Sequence, residues 1–235
     1  MNRYLKPFTE IINYVYPKYN NNPCDELVFF DFETTGLNPY HDKIIEYAFI
    51  FEDNEVYNIN NPSDYENNNY ISELVNPEIK FEKKITDITG IHPDSLSDKQ
   101  NINHFLPYIE EFINDKDSNS TSYLVAHNCD SFDKLFLINN FSKYNEQKDD
   151  KLKYKDWKYI DTLHLAKKLA PNLKSYSLKF LCEFFNIEFG KHRAISDTIC
   201  LRDVFHQLLN ILSNKLMLSQ SYLINNPKIV YDYIY

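Results

Sequence analysis

Short apolar runs with strand character, alternating with helical patterns, constrain the fold of this chain more than any other feature of its sequence. Three such runs come first, at 27–31, 44–51 and 70–75. Two more, at 123–126 and 159–161, alternate with stretches whose apolar residues recur at helical spacing. Because strands that alternate with helices pack as a sheet between helical layers, we predict an α/β fold with a central mixed sheet flanked by helices.

The helices are predicted from the same patterns. Apolar residues recur at helical spacing over 102–113, 163–169, 178–185 and 195–212, and in a segment that carries Phe132, Leu135 and Phe136. Two stretches lack either pattern and are predicted as loops, namely the Asn-rich residues 53–69 and the charged residues 143–158.

These elements form one predicted domain. It covers residues 25–212 of the 235 in the chain, and residues 1–24 and 213–235 are expected to be an N-terminal and a C-terminal extension. The C-terminal extension is rich in tyrosine. Such a segment either packs on its own domain or binds a partner, and the sequence leaves both open.

Composition excludes several classes of function. The chain has only three glycines, too few for the glycine-rich dinucleotide motif or for a phosphate-binding P-loop. Its four cysteines contain no C-x-x-C pair, which argues against a zinc site or a disulfide framework and is typical of a reducing compartment. No apolar run is long enough to cross a bilayer and the opening residues lack a signal-peptide core, so we expect a soluble intracellular protein with no membrane partner.

The formal net charge of -9 makes the chain a poor non-specific binder of phosphate backbones. That expectation is reversed locally wherever carboxylates hold metal ions, because bound cations change the sign of the local charge. Nucleic acid is therefore an expected partner only if the sequence also contains a metal site.

Two acids mark the end of the first predicted strand. Asp31 and Glu33 stand at positions i and i+2, so their side chains point to the same face, about 6–7 Å apart. Two acids so placed repel each other unless a cation lies between them, and strand ends of this kind bind ligands in open α/β sheets. The alternative is a solvated strand end with no ligand. Thr34, Thr35 and Gly36 follow as a polar turn that a ligand could approach closely.

Further acids follow two later elements. Asp130 and Asp133 come after the run at 123–126, where each could be a metal ligand or an acid in the first turn of a helix. On a continuous helix His192 and Asp197 would point about 140° apart, so they can share a site only if the histidine lies in a loop before the helix. Asp161 is predicted to cap the helix that follows it.

Taken in order, these motifs resemble those of the DnaQ-like 3′–5′ exonucleases. The matching pieces are DFETTG at 31–36, TGI at 89–91, VAHN at 125–128, FD at 132–133, DTL at 161–163 and HRAISD at 192–197. The resemblance extends over about residues 27–212 and is to the subclass with four acids and a histidine, called DEDDh. This subclass includes the proofreading exonucleases of bacterial replicative polymerases and the three-prime repair exonucleases of animals. The resemblance implies an RNase H-like fold.

The resemblance also implies a catalytic site. Asp31, Glu33, Asp133 and Asp197 would be the metal ligands, holding two Mg²⁺ or Mn²⁺ ions, and His192 would be the general base. An all-oxygen ligand set suits these hard cations better than zinc.

A substrate-binding set is implied at the 3′ terminus. Its members are Thr34, Thr35, Gly36, Leu37, His127 and Asn128. Leu37 matches a wedge that packs against the terminal bases in some relatives. His127 and Asn128 are expected to brace the site through hydrogen bonds, because imidazole is a poor ligand for Mg²⁺.

One spacing departs from the pattern of many bacterial relatives. From His127 to Asp133 there are six residues where those relatives have five, and the animal repair enzymes have a similar longer form. In that form the acid after the aromatic residue is the ligand. We therefore choose Asp133 and keep Asp130 as the reserve candidate.

We expect from these motifs a metal-dependent 3′–5′ exonuclease that releases nucleoside 5′-monophosphates. Nucleic acid with a free 3′ end is the expected partner, with single-stranded DNA first and RNA second. Two alternatives remain open. The same fold could be a non-catalytic module that binds nucleic acid or protein, or an accessory subunit that joins a polymerase or another protein through residues 213–235.

Overall fold

Strand β1 (Glu26–Thr34) lies at the centre of the fold, and its first apolar residues are fully or almost fully buried. The computed structural model describes residues 25–52, 70–114, 120–154, 156–190 and 192–235. Within these residues the other strands are β2 (Ile44–Glu52), β3 (Tyr70–Leu74), β4 (Ser122–Ala126) and β5 (Lys158–Asp161).

The five strands of the described residues form one mixed sheet in the order β3-β2-β1-β4-β5. β2 is antiparallel to both β1 and β3, whereas β4 is parallel to β1 and β5 is parallel to β4. The predicted mixed sheet is confirmed. The carboxyl ends of β1, β4 and β5 consequently lie side by side at the same end of the sheet. Ligands bind at this end of parallel strands in open α/β sheets.

Helices cover both faces of the sheet. Their bounds are α1 (Lys83–Thr89), α2 (Ile102–Asn114), α3 (Asp133–Gln147), α4 (Thr162–Leu169), α5 (Leu178–Phe185), α6 (Ala194–Leu216), α7 (Gln220–Ile224) and α8 (Pro227–Ile234). Two short 3₁₀ turns, Pro93–Leu96 and Cys129–Ser131, precede α2 and α3.

The alternation of side chains along β1 decides which residues each helical layer meets. Phe29 points to the face covered by α6, where its ring contacts Phe205 edge-on at 5.3 Å between centroids. Phe32 points to the other face and packs with Phe49, next to the side of the sheet covered by α2. Since Asp31 differs from Phe29 by two positions, it lies on the α6 face.

The prediction of a loop over 143–158 is wrong in its first part. Helix α3 continues to Gln147, because Leu137 and Phe141 keep an apolar stripe buried while the charged residues of this stretch face solvent. Its last part is also anchored, since the buried ring of Trp157 packs edge-on against Phe141 at 5.2 Å. The predicted loop at 53–69 lies outside the described residues.

The C-terminal residues pack on the domain. Helix α6 continues past position 212 to Leu216, and Leu223, Val230 and Ile234 join the main hydrophobic core. The Tyr235 hydroxyl donates a hydrogen bond to Asp130 Oδ2 at 2.6 Å. The boundary at 212 stays a prediction, and the N-terminal extension, 1–24, lies outside the described part of the chain.

None of the described helices combines the length and the apolar character needed to cross a bilayer.

Candidate metal centre

Four carboxylates come together where β1 meets the first turns of α3 and α6. One carboxylate oxygen each from Asp31, Glu33 and Asp197 lies within 4.8 Å of the others. Asp133, the first residue of α3, is 2% exposed, and its charge helps to raise the pKa of Asp31 on β1. The structure therefore brings three of the four proposed metal ligands together and places the fourth, Asp133, near enough for its charge to act on Asp31.

The local structure explains how each acid arrives there. Asp31 and Glu33 share one face of β1, and the ladder to β2 becomes irregular just after Glu33. Asp197 lies in the first turn of α6, where its N–H donates to Arg193 O at 2.9 Å. The acids of β1 and of α6, which are distant in sequence, therefore meet at the end of β1.

His192 lies in the loop before α6, which is the condition for sharing a site with Asp197. Its Nδ1 is 3.8 Å from Asp197 Oδ2, and its side chain is 51% exposed. Phe189 holds the imidazole edge-on at 5.7 Å between ring centroids. The histidine is therefore at the solvent side of the acid cluster.

Burial and mutual repulsion raise the pKa values of the acids. The pKa of Glu33 rises from 4.5 to about 8 through burial and then through the charges of Asp197 and Glu46. Burial also raises the pKa of Asp133 to about 8 and that of Asp197 to about 7. The pKa of Asp31 lies well above its ordinary value because of burial and then of its acidic neighbours.

This donor set fits a divalent cation. Asp133 Oδ1 and Asp197 Oδ1 are buried and have no hydrogen-bond partner among the residues that the structure describes, which is costly for a carboxylate unless a cation binds it. Oxygen ligands of this kind match the preference of Mg²⁺ and Mn²⁺.

The sequence analysis missed a buried ion pair beside the centre. Glu46 on β2 lies directly opposite Glu33 and accepts hydrogen bonds from the guanidinium of Arg193 and from the N–H of Ala194. One signal for it is present in the sequence. Glu46 is the only acid in the otherwise apolar run at 44–51, and a buried acid in such a run requires a partner.

The loop after β1 is closed by Asp42, a second residue that the sequence analysis did not single out. Asp42 accepts hydrogen bonds from Thr35 Oγ1 at 3.2 Å and from the Asn38 N–H at 2.8 Å, and Thr34 Oγ1 donates to Gly36 O at 2.6 Å. Thr34 and Thr35, which are predicted to contact the substrate, therefore both form hydrogen bonds within the protein through their hydroxyl groups.

The tip of the same loop presents a large apolar side chain. Leu37 is 83% exposed, as a side chain intended to meet a ligand would be. Gly36 is needed beside it, because a Cβ there would lie 2.5 Å from Asp42 Oδ2.

His127 braces the site from the end of β4. Its Nδ1 pairs with Thr162 Oγ1 at 2.9 Å and its Nε2 with Tyr176 O at 2.8 Å. A carbonyl can only accept, so Nε2 carries the proton, and burial lowers the pKa of the ring. Neither ring nitrogen is left for a nucleotide. Asn128, the next residue, is exposed in the left-handed region with φ 61°.

Asp161 caps α4, as predicted. It is fully buried and accepts hydrogen bonds from the backbone N–H groups of Leu163, Asn128 and Asp130. Asp130 itself pairs with Lys134 at 3.0 Å, whereas Asp133 joins the acids of β1. Ligand atoms of Asp130, Asp161 and His164 also lie within 4.8 Å of one another. The ion pair with Lys134 and the backbone hydrogen bonds already occupy the two carboxylates.

The exonuclease family model RNase_T matches residues 28–205. DNA polymerase III PolC-type of Caldanaerobacter subterraneus subsp. tengcongensis is 31% identical over 188 residues, which are 80% of this chain and 12% of that protein. The corresponding protein of Thermotoga petrophila is 31% identical over 210 residues, 88% of this chain and 13% of its own. The chain thus spans a small part of the curated relatives it matches.

Solved structures share the fold. E. coli exonuclease I in complex with a dT13 oligonucleotide superposes with a TM-score of 0.57 at 21% identity, over 89% of this chain and 43% of that one. Exonuclease X in complex with 5′ overhanging duplex DNA gives 0.53 at 21% identity, over 84% of this chain and 97% of that one. The predicted RNase H-like fold is confirmed.

Proposed function

The chain belongs to the exonuclease family, and from this premise we propose that it is a metal-dependent 3′–5′ exonuclease of the DEDDh subclass. It would hydrolyse the 3′-terminal phosphodiester of a nucleic acid and release nucleoside 5′-monophosphates. The observation that supports this proposal best is the cluster of buried carboxylates at the end of β1, with a histidine at its solvent side.

The acid cluster would hold two Mg²⁺ or Mn²⁺ ions through Asp31, Glu33, Asp133 and Asp197. Divalent ions bound there supply the positive charge that phosphodiester hydrolysis needs at the attacking and leaving oxygens. Asp31 is the natural shared ligand, since Glu33, Asp197 and Asp133 all act on its carboxylate. Bound cations also let a chain of net charge -9 accept a polyanion.

His192 would accept the proton of the attacking water. Its Nδ1 faces Asp197 Oδ2, which leaves Nε2 as the atom that takes the proton. General-base catalysis of this kind contributes about 10²–10⁴ in rate. The half-exposed ring can reach a water beside the acids and afterwards lose the proton to solvent.

Single-stranded DNA is the proposed substrate, with RNA as the second candidate. The exposed Leu37 would pack against the terminal bases, and the backbone of 34–36 would contact the terminal nucleotide. The structures of exonuclease I with dT13 and of exonuclease X with overhanging duplex DNA support the choice of DNA. A polymerase is the proposed protein partner, because the curated relatives are polymerases. The C-terminal residues, which were a candidate surface for that contact, pack on the domain.

The experiment uses 5′-labelled single strands of DNA and of RNA, incubated with Mg²⁺ or with a chelator and separated on a denaturing gel. We expect a ladder that shortens from the 3′ end, only with metal, and faster on DNA. Asp31→Asn should abolish it, whereas Asp150→Asn, a change of an exposed acid in the loop after α3, should not. A single internal cut, or full activity of Asp31→Asn, contradicts the proposal.

A further inference from the structure

We propose that Glu46 is a positioning residue for this reaction. It would fix the junction between the loop that carries His192 and the first turn of α6 that carries Asp197. The inference rests on the proposed function for its catalytic consequence, but it makes a separate claim about metal binding.

Both oxygens of Glu46 are committed to that junction. Oε1 accepts from Arg193 Nε at 2.9 Å and from Arg193 Nη2 at 2.5 Å. Oε2 accepts from Arg193 Nε at 3.0 Å and from the Ala194 N–H at 2.9 Å. A carboxylate with both oxygens so occupied is a poor candidate for a metal ligand and a good clamp, because charge-assisted bonds to a guanidinium fork are directional.

The clamp acts on consecutive residues of the site. Arg193 is the N-cap of α6 and Ala194 its first residue, and the Arg193 carbonyl accepts the N–H of Asp197 at 2.9 Å. His192 is bonded directly to Arg193. A shift of Arg193 therefore moves both the proposed base and one proposed ligand with respect to β1.

Stability alone gives no reason for an acid at this position. Glu46 is 2% exposed, and burying a carboxylate is costly even when it is paired. It also lies opposite Glu33 on the neighbouring strand, where like charges destabilise a sheet. The feature that it provides in return is a fixed connection between β2 and the start of α6.

The chain offers a matched control in the same two elements. Glu52 also lies on β2, is also buried, and its Oε1 is 3.2 Å from His206 Nε2 on α6. His206 is about 13 Å along the helix from Asp197. Glu52→Gln therefore perturbs the same strand–helix packing at a distance from the acids.

The experiment compares Glu46→Gln, Arg193→Lys and Glu52→Gln with the unchanged chain. It measures kcat and KM on single-stranded DNA, the Kd of Mn²⁺ by electron paramagnetic resonance without substrate, and Tm. We expect Glu46→Gln to lower kcat and to raise the Mn²⁺ Kd, each by about 10–100-fold, with KM changed less than about threefold. Arg193→Lys should act in the same direction, because lysine lacks the bidentate fork. Glu52→Gln should leave kcat and Mn²⁺ Kd within about twofold.

Two outcomes overturn the proposal. One is an unchanged kcat and Mn²⁺ Kd in Glu46→Gln. The other is an equal loss of kcat and Mn²⁺ affinity in Glu52→Gln at a similar Tm. That result would show that Glu46 contributes only to the packing of β2 against α6. Should Glu46→Gln not fold, Arg193→Lys decides in its place, since that side chain is half-exposed. An unchanged chain that binds Mn²⁺ but cleaves nothing refutes the exonuclease, while the Mn²⁺ affinities still test the clamp.

Discussion

Asp133→Asn should stabilise the metal-free protein at alkaline pH and destabilise the metal-loaded one. Asp133 is almost fully buried and its pKa is raised from 3.8 to about 8. A carboxyl whose folded-state pKa exceeds its unfolded value contributes stability that is complete below about pH 4 and is lost as the pH rises through about 8. Asparagine cannot ionise and escapes this loss.

The size of the effect follows from the shift. Ionising such a carboxyl between pH 5 and pH 8.5 costs at most about 4 kcal/mol, at 1.36 kcal/mol per pKa unit. Asp31 titrates beside it, so part of that cost belongs to Asp31, and we expect about 2 kcal/mol for the substitution. For a chain of this length that is about 4–8 °C in Tm. Mn²⁺ at one hundred times its Kd stabilises the folded protein by about 2.7 kcal/mol. The variant lacks one proposed ligand and should lose this stabilisation.

The assay is thermal unfolding followed by circular dichroism at pH 5 and pH 8.5, with chelator and with excess Mn²⁺. Asp130→Asn is the control of opposite sign. Burial raises the pKa of Asp130, but hydrogen bonds from Tyr235 and Lys134 outweigh it and lower that pKa, so its loss should destabilise the metal-free protein at pH 8.5. The reasoning is refuted if Asp133→Asn melts below the unchanged chain at pH 8.5 with chelator, or if their difference in Tm does not grow with pH.

Three further predictions concern the reaction. His192→Ala should slow single turnover about 10²–10⁴-fold while the Mn²⁺ Kd stays within about threefold, and a lost Mn²⁺ affinity would show that the histidine does more than accept a proton. Gly36→Ala should raise KM more than it lowers kcat, because its Cβ would displace the Asp42 carboxylate that holds the loop; a normal KM for DNA would contradict this reading. Leu37→Ala should raise KM about tenfold for strands with a free 3′ end, because the bound strand would bury the leucine side chain and the variant loses that contact. Its Tm should not change, because the side chain is exposed in the free protein. An unaffected KM would remove Leu37 from the substrate site.

Local patterns in the sequence were enough for the framework of the fold. The runs at 44–51 and 123–126 became β2 and β4 with bounds within one residue, and 178–185 became α5. Buried strands and amphipathic helices leave these periods in the sequence because each residue's burial depends on its own element. The loop predicted over 143–158 failed for a related reason, since a helix with one buried stripe can carry many charges on its other face.

The acid pair of β1 was equally readable. Alternation along a strand places Asp31 and Glu33 on one face whatever the rest of the chain does, and the polar turn after them marks an end of the sheet. The motif order then suggested which distant acids and which histidine would join them. The sequence by itself therefore determined the class of fold, the chemical character of the site and its candidate members.

Only the tertiary structure decided how those members are held. The choice between Asp130 and Asp133 depends on which of them faces β1 where α3 begins, and three residues of turn geometry separate the two answers. The clamp of Glu46 on Arg193 joins residues 147 positions apart, and Tyr235 reaches Asp130 across 105. Such contacts leave no period in the sequence, because they arise from strand register and helix placement, which the packing of the whole core fixes together.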